Sequence, residues 1–141
     1  MAGTSIRKIY CWKIKIDRLY IHMASTEKGA LRIEIGLNSK SDARGFFKRI
    51  FPNSELLESR DANRPLQQAV EAAFSNEEPR ERPELDMSCT PFQWSVMKAI
   101  AKIPFGEIRT YGQVAAMAGN PKGARAVGQA MGRNPLPLIF P

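Results

Sequence analysis

Between Ser75 and Met87 the chain reads SNEEPRERPELDM, thirteen residues with seven charged side chains, two prolines and no apolar periodicity. No helix or strand with a buried face can be drawn through such a stretch, so it divides the chain into two parts that must each find a core. The expected division is 1–86 and 87–141. A 141-residue chain with 43% hydrophobic and 25% charged residues is ordinary globular material and can supply cores for both.

The first part alternates. IRKIYCWKIKI, from Ile6 to Ile16, leads to a turn at Asp17, then RLYIHM, then ALRIEIGL, in which Leu31, Ile33, Ile35 and Leu37 share one face and Arg32 and Glu34 the other. This period of two predicts an antiparallel meander with one wet face. SDARGFFKRIF predicts a short helix ended by Pro52. Arg64-Pro65 opens PLQQAVEAAF, with Leu66, Val70, Ala73 and Phe74 at helical spacing.

The second part is helical. Thr90-Pro91-Phe92-Gln93 has the capping-box pattern and opens a helix carrying Phe92, Val96, Ile100 and Ile103 on one face, stopped by Pro104. Thr110-Tyr111-Gly112-Gln113 repeats that pattern before YGQVAAMA. Gly119-Asn120-Pro121 then makes a turn, with Asn120 as cap and Pro121 as start of PKGARAVGQAM, closed by Gly132. A short helix, a tight turn and a small-residue helix make a helix-turn-helix pattern.

Charge is unevenly placed. Residues 95–141 carry Lys98, Lys102, Arg109, Lys122, Arg125 and Arg133 against Glu107 alone, +5 of the chain's total of +7. Such a field suits a polyanion, nucleic acid being the commonest, and is equally consistent with a solvated basic face. The last helix sharpens the choice. A major-groove reading helix displays several Arg, Asn or Gln side chains. This one offers Arg125, with Lys122 and Gln129 nearby, among Gly123, Ala124, Ala126, Gly128 and Ala130. A smooth helix with one long cation suits the minor groove, where a side chain can enter the base stack and hold the space of an extruded base. The same small residues would also let two helices pack closely.

Cys11 and Cys89 form no C-x-x-C pair and fit a reduced, intracellular chain. The N-terminal residues show no continuous apolar run of the signal-peptide kind. The longest uncharged stretch, Thr110 to Pro121, has 12 residues and is too short and polar for a membrane span. With His22, the two cysteines are the only soft ligands, too few for a four-ligand zinc site, so neither metal nor cofactor is expected.

TPFQWSVMKAIAKIPFGEIRTYGQVAAMAGNPKGARAVGQAMGRNPLPLIFP, Thr90 to Pro141, resembles the C-terminal domain of the O6-alkylguanine-DNA alkyltransferases, the methylated-DNA–protein-cysteine methyltransferase family. TYG, AGNP, ARAVG and NPLPLIFP occur in order. The resemblance implies an α+β chain of two domains. The first would be a ribonuclease-H-like antiparallel sheet with helices; the second, a winged-helix-like helix-turn-helix domain incomplete at its C-terminus. It implies that Arg125 is the finger that enters the minor groove, that Tyr111 crowds the 3′ phosphate and promotes nucleotide rotation, and that Asn134 is a hinge. Met131 and Pro137 would line the alkylguanine pocket, with Ala124, Ala126 and Gly128 facing the groove. The implied partner is double-stranded DNA containing O6-alkylguanine, bound by a cytoplasmic monomer.

In this family NPLPLIFP runs into Cys-His-Arg-Val, whose cysteine accepts the alkyl group in a single displacement with guanine leaving. A neighbouring His, through water, and a later Glu lower its pKa. The resemblance therefore implies that the acceptor falls directly after Pro141 and that the 141 residues alone are inactive. The expectations for that position are a selenocysteine codon read as a stop, a truncation or frameshift, or a lesion-binding protein without transfer. Cys89, just before a helix N-terminus, gains some thiolate character from its place but lies apart from the motifs. Cys11 lies in a strand of the other domain, and neither is expected to be the acceptor.

Overall fold

The computed structural model describes residues 6–37, 41–87, 89–104 and 106–137. The end of the NPLPLIFP motif, Leu138 to Pro141, lies outside them, and so do Ser88 and Phe105. The chain is mixed α+β and divides into two compact units, Met1–Met87 and Ser88–Pro141. Among the described residues no helix is long and apolar enough to cross a membrane.

In the first unit β1 (Lys8–Ile16), β2 (Leu19–Thr26) and β3 (Gly29–Gly36) form the meander that their alternation predicts, and Asp17 takes the left-handed conformation at the first turn. Several features differ from the sequence expectation, among them the first helix, which stops at Phe47 and not at Pro52. A fourth strand, β4 (Glu55–Glu58), pairs parallel to β1, giving the order β3-β2-β1-β4. And β2 has no wet face: Ile21, His22, Met23, Ala24 and Ser25 are all buried. The sheet is covered on both sides. On one, α1 (Ala43–Phe47) sets Ala43 and Phe47 against Ile9, Cys11 and Ala24. On the other, a 3-10 turn at Asp61–Asn63 is tied down by Asn63, which accepts from Ser25 Oγ (2.7 Å) and donates to the Tyr10 carbonyl (3.0 Å). The turn leads into α2 (Arg64–Phe74), which buries Leu66, Ala69 and Val70. Each fully buried aliphatic or aromatic side chain contributes about 1.5–3 kcal/mol. The alternating run of β3 does not keep one buried face: an irregularity opposite Ala24 and Ser25 sends Leu31 into the core under α1 while Ile33 pairs with Met23, and Ile35 and Leu37 are exposed.

The charged stretch is anchored at its end. The Ala30 N–H donates to the Glu84 carbonyl and Asp86 N–H to the Ala30 carbonyl, both at 2.7 Å, adding one bridge to the edge of β3. The Asp86 carboxylate accepts from Thr26 Oγ1 (2.5 Å) and pairs with Arg7 (3.0 Å). Gly29 makes this approach possible, because its φ of +147° suits no side chain and a Cβ there would overlap the Glu84 carbonyl.

The second unit is built from α3 (Pro91–Ala101), α4 (Tyr111–Met117) and α5 (Ala124–Gly132), which pack against one another. Its buried side chains are Val96, Met97, Ala99 and Ile100 from α3, Val114 and Ala115 from α4, Val127 and Ala130 from α5, and Leu136 beyond. Both capping boxes are formed. The helix ends depart from expectation at two places. α3 stops at Ala101, with Ile103 already in the turn before Pro104. α5 starts at Ala124, not Pro121, and Asn120 does not cap it. Instead the Asn120 carbonyl accepts from Gly123 N–H at 2.9 Å, closing a tight turn over Pro121 and Lys122.

Candidate nucleic-acid interface

The α4–turn–α5 pair holds most of the residues singled out in the sequence. α5 turns Val127 and Ala130 into the core, so the 100° step of a helix directs Arg125, Gly128, Gln129 and Gly132 to the opposite side. Arg125 and Gln129 are exposed there. Ala124 and Ala126 are half-buried on the two flanks of that face, and Lys122 is exposed in the preceding turn. Arg125 makes no ion pair among the described residues, and its charge is available to a ligand.

Tyr111 is the first residue of α4 and 54% exposed, a high figure for an aromatic ring. Its place is fixed from two sides. Thr110, the N-cap, accepts from Gln113 N–H (3.0 Å) while the Gln113 side chain accepts from Thr110 N–H (2.8 Å), which sets the direction in which α4 leaves the loop. The ring then lies across Gly128 of α5, where an added Cβ would meet ring carbons at 3.2 and 3.4 Å. Tyr111 and Arg125 thus share one face, since Gly128 is three residues, about 4.5 Å of helix rise, from Arg125.

Past α5 the chain turns sharply. Asn134 donates its N–H to the Met131 carbonyl (3.2 Å) and its side-chain oxygen accepts from Leu136 N–H (2.9 Å), which carries Leu136 into the core. This is a local Asx-type turn of the kind that fixes a change of direction. Met131 and Pro137 are half-buried on either side of it.

Neither cysteine has the surroundings of a nucleophile. Cys11 is buried in the sheet of the first unit, its thiol directed at the Ile9 carbonyl, and burial pushes its pKa up to about 11. Cys89 is half-buried, and burial raises its pKa too, contrary to the gain expected from the helix start. It lies outside the first turn of α3, where Thr90 Oγ1 already takes the Gln93 N–H. Cys11 and His22 do not form a ligand set: the His22 ring stacks on Phe46 with centroids 3.9 Å apart. Among the described residues no group of three or more His, Cys, Asp or Glu side chains is placed to hold a metal.

Two features near the site were not legible in the sequence. Arg109 is bonded to Glu107 at 3.0 Å and so contributes little free charge. Ile108 stands 88% exposed in the loop before Thr110, a bare apolar side chain that no periodicity marks.

Residues 91–141 match the family model described as 6-O-methylguanine DNA methyltransferase, DNA binding domain. A methylated-DNA–protein-cysteine methyltransferase of Methanosarcina mazei is 40% identical over 133 residues, covering 94% of this chain and 79% of that protein. One from Methanosarcina acetivorans is 40% identical over 108 residues, 77% of this chain and 69% of that protein. Among solved structures, the Mycobacterium tuberculosis O6-methylguanine methyltransferase superposes with a TM-score of 0.73 at 27% identity, over 94% of this chain and 75% of that one. The Mycobacterium tuberculosis OGT in complex with DNA gives a TM-score of 0.70 at 28% identity, over 95% and 74%.

Proposed function

The chain belongs to the methylated-DNA–protein-cysteine methyltransferase family, and from that membership we propose that it is an intracellular DNA repair protein that engages duplex DNA through α5 and extrudes an O6-alkylguanine. The observation that carries this reading is the exposed face of α5: one free guanidinium, Arg125, on a helix with almost no other side-chain bulk, with the Tyr111 ring one turn away. A slim helix lets the backbone approach a minor groove, and a long cation can then occupy the place of the displaced base. Tyr111, projecting from the start of α4, crowds the adjacent phosphate. Lys122 and Gln129 flank the finger as backbone contacts. The bare surface from Ala124 to Gly128 lies along the groove.

Asn134 in this reading links α5 to the pocket wall formed by Met131 and Pro137, since its hydrogen bonds to the Met131 carbonyl and from Leu136 N–H fix the turn between them. The order β3-β2-β1-β4, antiparallel except for β4, supports a ribonuclease-H-like first domain. The pair α4 and α5 supports a helix-turn-helix second domain.

In the displacement the acceptor's lone pair forms a bond to the alkyl carbon while the carbon–O6 bond breaks and guanine takes its electrons. The family resemblance assigns the acceptor to the position after Pro141. Burial raises the pKa of both Cys11 and Cys89, which speaks against either as the acceptor.

The test is Arg125→Ala in a duplex carrying a fluorescent base that brightens when extruded. The variant is expected to fold like the parent, because Arg125 is exposed on α5, and to lose most of the extrusion signal. Equal signals from variant and parent would remove the finger assignment.

A further inference from the structure

Gly128 stands in the middle of α5, where glycine weakens a helix relative to alanine. It adopts ordinary helical backbone, so conformational freedom does not explain it. Space does. A Cβ at Gly128 would stand 3.2 Å from Cε2 and 3.4 Å from Cδ2 of Tyr111, closer than the roughly 3.5–4.0 Å at which carbon atoms pack best. The other glycines of the helix pair differ: a Cβ on Gly132 meets nothing within 4 Å, and one on Gly112 only the Thr110 hydroxyl at 3.8 Å.

We propose that Gly128 is a positioning residue that acts through Tyr111: its missing side chain seats the tyrosine ring on α5, one turn from Arg125, so that ring and guanidinium reach DNA as one rigid unit. The inference deepens the DNA-extrusion reading above and rests on it for its functional arm. The ring is half exposed, so a methyl group at residue 128 displaces it outward by a few tenths of an ångström without disturbing the core. Gly128 also belongs to the surface assigned to the groove, so the competing explanation is that DNA, and not the ring, is what requires it to be bare.

A double-mutant cycle separates the two. Gly128→Ala, Tyr111→Ala and the double variant are compared by thermal unfolding and by the flipped-base reporter. Gly128→Ala is expected to melt at or above the parent temperature, since alanine favours helix, yet to lower the extrusion signal about three- to tenfold, the size of a contact coupling. In the Tyr111→Ala background the same change is expected to alter the signal by less than about 1.5-fold. An equal loss in both backgrounds would show that DNA, not the ring, needs the space, and would overturn the proposal. A readout in the free protein decides the matter even if the parent extrudes no base. Nuclear Overhauser contacts should join the Gly128 α-protons to the Tyr111 ring, and the ring resonances should shift in Gly128→Ala; their absence would overturn the seating itself.

Discussion

At the scale of single residues, His22 shows how much of the first unit depends on burial that sequence alone does not reveal. A lone histidine on an alternating strand fits either face; here it is fully buried against Phe46, and its Nδ1 has no hydrogen-bond partner among the described residues. Burial, then the Lys13 ammonium across on β1, hold its pKa below the ordinary 6.5, while Glu34 on β3 pulls weakly the other way. That carboxylate is already engaged by Arg32 at 2.7 Å. The sign follows directly. The unfolded chain takes up a proton near pH 6.5 and the folded chain does not, so the stability this neutral ring confers is complete above that pH and falls as pH drops below it. Asp86 acts lower: burial opposes its ionisation, but Thr26 and Arg7 outweigh burial and depress its pKa below 3.8, so its contribution is lost only as pH falls below that value. Urea unfolding between pH 7.5 and 5 should therefore show a decline in stability that is abolished in His22→Phe, which keeps the stack on Phe46 and cannot be protonated. An unchanged decline in that variant would place the titrating group elsewhere.

Elements whose signals are local were legible, and those defined by distant partners were not. Both capping boxes depend on residues three apart, and both formed where Thr90–Gln93 and Thr110–Gln113 place them. The meander followed from period two, and α2 from Pro65 and its apolar spacing. β4 leaves no signal in the sequence because four residues, Glu55 to Glu58, are too few to show a period, and their pairing with β1 spans more than forty residues of chain. The same limit hid the second buried face of β2, which exists only because helical segments cover both sides of the sheet. Pro121 suits a helix's first turn and a tight turn equally, so sequence alone starts α5 three residues too early; the Gly123–Asn120 bond selects the turn. In the site itself Arg125 stood out by contrast with its neighbours, whereas the contact between Tyr111 and Gly128 joins two helices and leaves no trace in spacing. The cap of α4 offers a test at this scale. Thr110→Ala should cost about 1 kcal/mol, and because Tyr111 follows at once, it should also weaken duplex binding. Thr90→Ala removes the matching box from α3 at similar cost, and its effect on binding should be much smaller. Equal effects of the two on binding would mean that the cap of α4 has no directional role.

At the scale of the whole molecule, charge separates the two units: Met1–Met87 carries a net +2 and Ser88–Pro141 a net +5. The structure narrows the useful part of that field. Arg109 is paired with Glu107, and Lys98 lies over the Trp94 ring at 5.5 Å. Lys102 closes α3, away from the exposed face of α5 in sequence and in helix. With Arg125 assigned to the base stack, Lys122 in the turn before α5 and Arg133 at its end are left as the two cations that can meet phosphates along that helix. Each phosphate neutralised contributes about 0.9 to the slope of log affinity against log salt, which gives a slope near −1.8 and a loss of roughly 12-fold between 50 and 200 mM salt. Lys122→Ala should reduce the slope by about 1 and weaken binding alike for damaged and undamaged duplexes, because a phosphate contact carries no base information. Lys102→Ala should leave the slope unchanged. If Lys102→Ala lowers the slope as much as Lys122→Ala does, the duplex follows α3 and not α5, and the finger, the seated tyrosine and the bare helix face lose their common purpose.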